Sequence, residues 1–205
     1  MKIAITGHTS GIGKGMYDHF LNQNHEVFGL SRSNGFDISK NTKEIVEISE
    51  ECDLFINNAY SGDSQLKLLM LLKDKVNNIV VCGSSCRNYL NIINNEYSKN
   101  KHNLAEVCRL LSLKEGGPNI LHLDITFIHN SEFDVDTIGS DYGVTIREIV
   151  NVVDFWLGNP KITQIQFSTK LTTDMCNKLK ESGANMTPLM DLKNKVDFLY
   201  EKYKV

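Results

Sequence analysis

Residues 2–15 read "KIAITGHTSGIGKG": a short apolar run, then Gly7, Gly11 and Gly13 at the point where a helical pattern begins. A strand that runs into a glycine turn and then a helix is the opening unit of a nucleotide-binding α/β sheet. One glycine lets the turn be tight, and another lets backbone approach a pyrophosphate closely. The helix that follows aims unpaired amides and the positive end of its dipole at the phosphates. A turn used only as a connection needs one or two glycines, whereas this one carries three with Gly15 beyond them. Lys14 is followed by Gly15 and not by Ser or Thr, so the segment is not the P-loop of an NTP hydrolase.

Outward from that unit, strand-like runs alternate with helix-period segments. A helical pattern from Gly11 to about Asn24 precedes "HEVFGLS" (25–31), a short "GFDIS" (35–39) and helical "TKEIVEISEE" (42–51). "DLFINN" (53–58), a Leu-rich helix near 64–75, "NIVVCGS" (78–84) and a helix over about 96–113 come next. "NILHLDI" (119–125), a helix near 144–157 and "ITQIQFS" (162–168) close the series. Continuous apolar strands alternating with helices predict a parallel sheet covered on both faces. The expected architecture is a Rossmann-type doubly wound α/β domain over residues 1–170. Residues 171–205 break the alternation and read as a helical extension, packed on the same domain or on a partner subunit.

Composition narrows the function classes. A chain of 205 residues is long enough to bury a full core in one domain. A net charge of -3 provides no electrostatic footprint for nucleic acid or an anionic membrane. The most apolar segment, "LKLLMLL" (66–72), is far too short to span a bilayer, and "MKIAITG" leaves no room for a secretory leader. Cys52, Cys82, Cys86, Cys108 and Cys176 are odd in number and scattered, which favours reduced thiols in a cytoplasmic protein. Cys82 and Cys86 lack companions at zinc-site spacing, so no metal is expected.

Thr6 through Gly13 match Thr-Gly-x-x-x-Gly-Ile-Gly, and here the chain resembles the short-chain dehydrogenase/reductase family. Three further family motifs follow in order. "NNAY" (57–60) stands after one strand, "VVCGSS" (80–85) ends the next, and "YSKNK" (97–101) opens a helix thirteen residues after Ser84. The resemblance covers about residues 2–168 and implies a sheet ordered 3-2-1-4-5-6-7, with Ser84, Tyr97 and Lys101 as catalytic residues. Tyr97 and Lys101, four apart, share a helix face. A nearby ammonium favours phenolate and is expected to pull the tyrosine pKa down. Tyr97 would then give a proton to a carbonyl oxygen as hydride arrives, while the Ser84 hydroxyl holds that oxygen. Lys101 would also bind the nicotinamide ribose, as the resemblance implies. The same resemblance assigns Gly7, Thr9, Ser10, Gly11, Ile12 and Gly13 to the phosphates and Asp37 and Ile38 to the adenine. Asn58 and Ala59 fall to the adenosine ribose, and Asn57 to bracing the sheet. Helices of the family build subunit interfaces, so a homo-dimer or homo-tetramer is expected.

The end of the second strand, "GLSRSNG" (29–35), normally discriminates between the cofactors. It holds no acid to accept from ribose hydroxyls and repel a 2′-phosphate. Ser31, Arg32 and Ser33 instead provide a guanidinium and hydroxyl donors suited to phosphate. NADP(H) is therefore expected over NAD(H), although Ser10 stands where many NADP-dependent relatives carry a basic residue.

Four departures from the family pattern stand out. The helix between the second and third strands is missing. The interval from Asn57 to Ser84 is short, and the supporting asparagine it usually carries has no counterpart, Asn77 and Asn78 lying too near the fifth strand. "DITFIHN" (124–130) replaces Pro-Gly, leaving Ile128 to meet the carboxamide through its backbone and Asn130 to replace a threonine. Tyr60 takes the place of a glycine near the nicotinamide, so either Gly62 supplies the loop's freedom or Tyr60 narrows the pocket. The expected activity is hydride transfer between NADP(H) and a small carbonyl or alcohol substrate. Its rival is a non-catalytic NADP(H) sensor of the same fold.

Overall fold

The five residues from Lys2 to Thr6, with apolar Ile3, Ala4 and Ile5 at their centre, form the strand around which the sheet is laid out. In the computed structural model, which describes residues 1–90, 95–126, 128–129 and 144–167, β1 (Lys2–Thr6) pairs in parallel with β2 (Glu26–Leu30) on one side. On its other side it pairs in parallel with β3 (Leu54–Asn57). The sheet continues through β4 (Asn78–Cys82), β5 (Asn119–Asp124) and β8 (Gln164–Gln166), giving the order β2-β1-β3-β4-β5-β8 with every pair parallel. A separate two-stranded ladder joins β6 (Ile128–His129) to β7 (Val144–Thr145).

The period of two along each strand divides the core cleanly. Ile3, Ile5, Leu54, Ile56, Val80, Leu121 and Leu123 face α1 (Gly11–Asn22) and α5 (Ile146–Leu157), meeting Met16, Phe20, Ile149, Val153 and Trp156. Ala4, Phe55, Ile79, Val81 and Ile120 face the opposite layer. There they meet Ile45 of α2 (Thr42–Ser49), Leu68 and Leu72 of α3 (Ser64–Leu72), and Leu104 and Cys108 of α4 (Glu96–Ser112). Both faces are thus buried, which is why the strands read as unbroken apolar runs. The chain leaves β1 towards β2, then returns to β3 on the far side of β1. This reversal of strand order opens a crevice at the carboxyl ends of the strands.

The doubly wound α/β architecture expected from sequence is present, with one local correction. Residues 35–39, expected as the outermost strand, form none, so β2 is the sheet edge. Local bonds consume that backbone. Gly35 adopts φ +91° after the short 3-10 turn Arg32–Asn34, and Asp37 accepts from the Ser39 amide at 2.9 Å and its hydroxyl at 2.6 Å. The 171–205 extension lies outside the described residues. The described cysteines, Cys52, Cys82, Cys86 and Cys108, are free, and among described residues no helix is long and apolar enough to cross a membrane.

Trp156 is fully buried, and its indole N–H donates to the Ile162 carbonyl at 2.8 Å. Trp156→Ala is expected to lower the unfolding free energy by about 3–5 kcal/mol. The check is a fall in urea midpoint at unchanged slope, followed by circular dichroism because this is the single tryptophan.

Candidate active site

The end of β1 is bolted to the end of β3. Thr6 is fully buried, and its hydroxyl oxygen accepts from the backbone N–H groups of Asn58 at 2.9 Å and Ala59 at 3.0 Å. The Asn58 side chain returns bonds to the carbonyls of Thr6 at 3.1 Å and Gly7 at 3.3 Å. Against this brace Gly7 turns at φ +72°, and a Cβ on Gly13 would stand 2.1 Å from the Gly7 carbonyl oxygen. Only glycine fits at either position. Gly11 differs: it has φ +53°, and nothing lies within 4 Å of where its Cβ would be. The first turn of α1 carries no acid, and the Ser10 side chain caps no amide. The turn therefore has the backbone close approach, open side and uncommitted helix start that a pyrophosphate requires.

A cleft of about 550 Å³ extends from this turn. Among the sequence candidates it is lined by Gly7, Thr9, Ser10 and Ile12 after β1, and by Ser31, Arg32 and Ser33 after β2. Asp37, Ile38, Asn58, Ala59 and Ile128 complete the set. Asn34, which the sequence reading passed over, holds the second group in place. Its side-chain oxygen accepts from the Ser31 amide at 2.8 Å, and its NH₂ donates to the Gly29 carbonyl at 2.8 Å. The Ser-x-x-Asn spacing was the available signal. Ser31 is buried and shares its hydroxyl with Ser33 at 2.8 Å, while Arg32 is exposed. Bonds from Ser39 hold the Asp37 carboxyl below its ordinary pKa. Asn130 lies outside the described residues.

Ser84, Tyr97 and Lys101 come together at the ends of β4 and α4. Ser84 caps the 3-10 turn Ser85–Tyr89. Asn95 caps α4 by accepting from the Ser98 amide at 2.8 Å, which fixes Tyr97 in the first turn. Ser84 lies close enough to the Tyr97 hydroxyl to act on its pKa. The expected lowering of the Tyr97 pKa is not found: burial raises it, Ser84 opposes the rise, and Lys101 has no part in the shift. The reason is where the ammonium points. Lys101, only 4% exposed, donates to the Gln65 side-chain oxygen and the Cys82 carbonyl, each at 2.8 Å. It meets Tyr97 only through the ring, 5.6 Å from the centroid. Burial brings Lys101 itself down to about 8.

Gln65 is a second residue that sequence reasoning missed. Buried on α3, it also donates to the carbonyls of Asn57 at 2.7 Å and Cys82 at 3.0 Å, and the Asn57 amide donates to the Gln65 carbonyl at 2.8 Å. Its amide side chain at a buried position beside the leucines of "SQLKLLMLL" was the only hint. Arg87 is a third. It grips the fully buried Asp124 through two 2.6 Å bonds, tying the turn after Ser84 to the end of β5. Gln164 completes that carboxylate at 2.8 Å.

No family model and no curated protein matches the chain. Among solved structures, a 3-ketoacyl-(acyl-carrier-protein) reductase from Brucella melitensis complexed with NADH is similar at 15% identity and TM-score 0.66, over 82% of this chain and 96% of that one. An alcohol dehydrogenase from the archaeon Thermococcus sibiricus complexed with 5-hydroxy-NADP aligns at 18% identity and TM-score 0.60, over 82% and 96%. A UDP-N-acetylglucosamine 4-epimerase from Bacillus cereus aligns at 13% identity and TM-score 0.63, over 90% and 86%. The likeness establishes the fold, a Rossmann-type doubly wound α/β domain.

Beneath the Ser84 turn, His122 is buried with no hydrogen-bond partner on either ring nitrogen, and its ring fills the space where a Cβ on Gly83 would sit. Burial pushes its pKa from 6.5 down to about 4, with Asp124 opposing and Arg87 and Lys101 assisting. The unfolded chain takes up this proton first, so the stability is full above pH 6.5 and is lost as pH falls towards 4. A loss of up to roughly 3 kcal/mol is expected over that window, and His122→Phe should remove it relative to the parent in urea titrations at stepped pH.

Proposed function

We propose that this chain is a short-chain dehydrogenase/reductase-type oxidoreductase, exchanging hydride between NADP(H) and a small carbonyl or alcohol substrate. The observation that carries the reading is that a phosphate-shaped glycine turn after β1 and Ser84, close to Tyr97, after β4 stand at the carboxyl ends of the same parallel sheet. On this reading the turn from Gly7 to Gly13 holds the pyrophosphate, with Thr9, Ser10 and Ile12 lining it. Arg32 and Ser33, exposed at the cleft wall with Ser31 beneath them, take the 2′-phosphate. Asp37 and Ile38 flank the adenine, Asn58 and Ala59 the adenosine ribose, and Ile128 and Asn130 the far end. The bound nicotinamide would supply or accept the hydride.

Tyr97 gives its hydroxyl proton to the substrate oxygen, or takes one from an alcohol in the reverse direction. Ser84 holds that oxygen and fixes the phenol's direction. Lys101 contributes positive charge beside the phenol ring and hydroxyl recognition for the ribose. Assembly as a homo-dimer or homo-tetramer belongs to the same proposal, favoured by exposed Met70 and Leu71 on α3 and Leu110 on α4. So do a cytoplasmic setting and a role for 171–205 as an extension packed on the domain or on a partner.

One observation favours a second reading, a non-catalytic NADP(H) sensor: Ser84, Tyr97 and Lys101 do not line the 550 Å³ cleft. Tyr97→Phe separates the two. The enzyme reading expects turnover of small aldehydes and ketones to fall roughly 10²–10⁴-fold while NADPH affinity is kept. Turnover that survives the substitution would overturn the assignment of Tyr97, and NADPH binding without turnover in the parent protein would favour the sensor.

A further inference from the structure

Tyr60 lines the cleft, and its surroundings account for the separation of the cleft from Lys101. The 550 Å³ cleft and a second cavity of about 310 Å³ between α3 and α4 share a single lining residue among those described, Tyr60. Lys101, Gln65 and Asn100 line only the second cavity. The Tyr60 ring meets Tyr97 edge-on, with centroids 4.8 Å apart at 78°. The Lys101 ammonium lies 5.4 Å from its centroid, and Asn100 donates to its hydroxyl at 3.3 Å.

From this geometry, and resting on the nucleotide reading above, we infer that Tyr60 selects what the site admits. The resting cleft takes an adenosine phosphate, and the second half of a dinucleotide enters only when the Tyr60 ring leaves Lys101. The backbone before the ring is fixed, because the amides of Asn58 and Ala59 are held by Thr6. Beyond it the Ser61 carbonyl accepts from the Ser64 amide at 2.9 Å, and Gly62 sits at φ +53° with open space where a Cβ would be. Movement is thus confined to the ring and the short loop 60–62. The contacts that retain the ring are individually weak, and Tyr60 is 40% exposed. A ribose diol arriving in its place would give the ammonium hydroxyl oxygens in exchange for a ring face. Gln65 and Cys82 keep Lys101 stationary behind the ring, so the exchange needs no movement of the lysine.

The test compares a whole cofactor with its adenosine half. By calorimetry, Tyr60→Ala should tighten NADPH binding about tenfold, the gain from contacts that no longer have to be broken. Adenosine 2′,5′-bisphosphate should stay within about twofold of the parent value. Equal changes for both ligands, or NADPH affinity that does not rise, would overturn the inference while leaving the nucleotide site intact. Failure of the parent protein to bind either ligand would remove the nucleotide reading, and this inference with it. A second readout needs neither turnover nor a stable Tyr60→Ala variant. Nitration of Tyr60, which is 40% exposed, by tetranitromethane and mapped by mass spectrometry, should change in rate in the parent with NADPH and not with the bisphosphate. An equal effect of both, or no effect of NADPH, would count against Tyr60 as the selecting residue.

Discussion

One threonine hydroxyl sets the geometry on which the site depends. By accepting two backbone amides from the start of the loop after β3, Thr6 joins two neighbouring strand ends into a rigid edge. The Asn58 side chain can then brace the glycine turn, and the Gly13 backbone can close against the Gly7 carbonyl. A buried oxygen with two donors is satisfied, whereas two amides left without it would each cost about 1–3 kcal/mol. Tyr60 follows Ala59 directly, so the same anchor that shapes the glycine turn also aims the ring that divides cleft from lysine.

The opposite half of the site is organised by buried polar pairs. Gln65 serves three strand-end or side-chain partners at once and leaves Lys101 as a cation with two neutral acceptors and two aromatic rings. A buried ammonium so placed loses hydration without gaining a carboxylate, which explains its depressed pKa. Arg87 and Asp124, in contrast, form a fully paired two-bond contact under the Ser84 turn. The position of Ser84 is therefore set from β5, and its partner Tyr97 from the cap of α4.

Most of the fold was legible because its signals are local. Two-faced apolar strands such as "DLFINN" and the glycine spacing of residues 7–13 each report on their own neighbourhood. "GFDIS" misled for the same reason: it has strand-like composition, but the Gly35 and Phe36 amides bond back to the Arg32 and Ser31 carbonyls, and the Asp37 side chain takes the Ser39 amide. Residues around the cleft could be proposed by resemblance. The charge relations could not, since they join residues far apart in sequence. Lys101 and Gln65 are thirty-six residues apart and Arg87 and Asp124 thirty-seven. Nothing in "YSKNK" discloses that its lysine faces away from the phenol hydroxyl.

On the proposed function, the turn from Gly7 to Gly13, with Arg32 and Ser33 beside it, takes a 2′-phosphorylated dinucleotide. The most direct measurement is a titration of the purified protein with NADPH and, separately, NADH, followed by cofactor fluorescence. Saturable binding of both is expected, with NADPH tighter by about tenfold or more because a guanidinium–phosphate contact is charge-assisted. Tighter binding of NADH, or binding of neither, would contradict it.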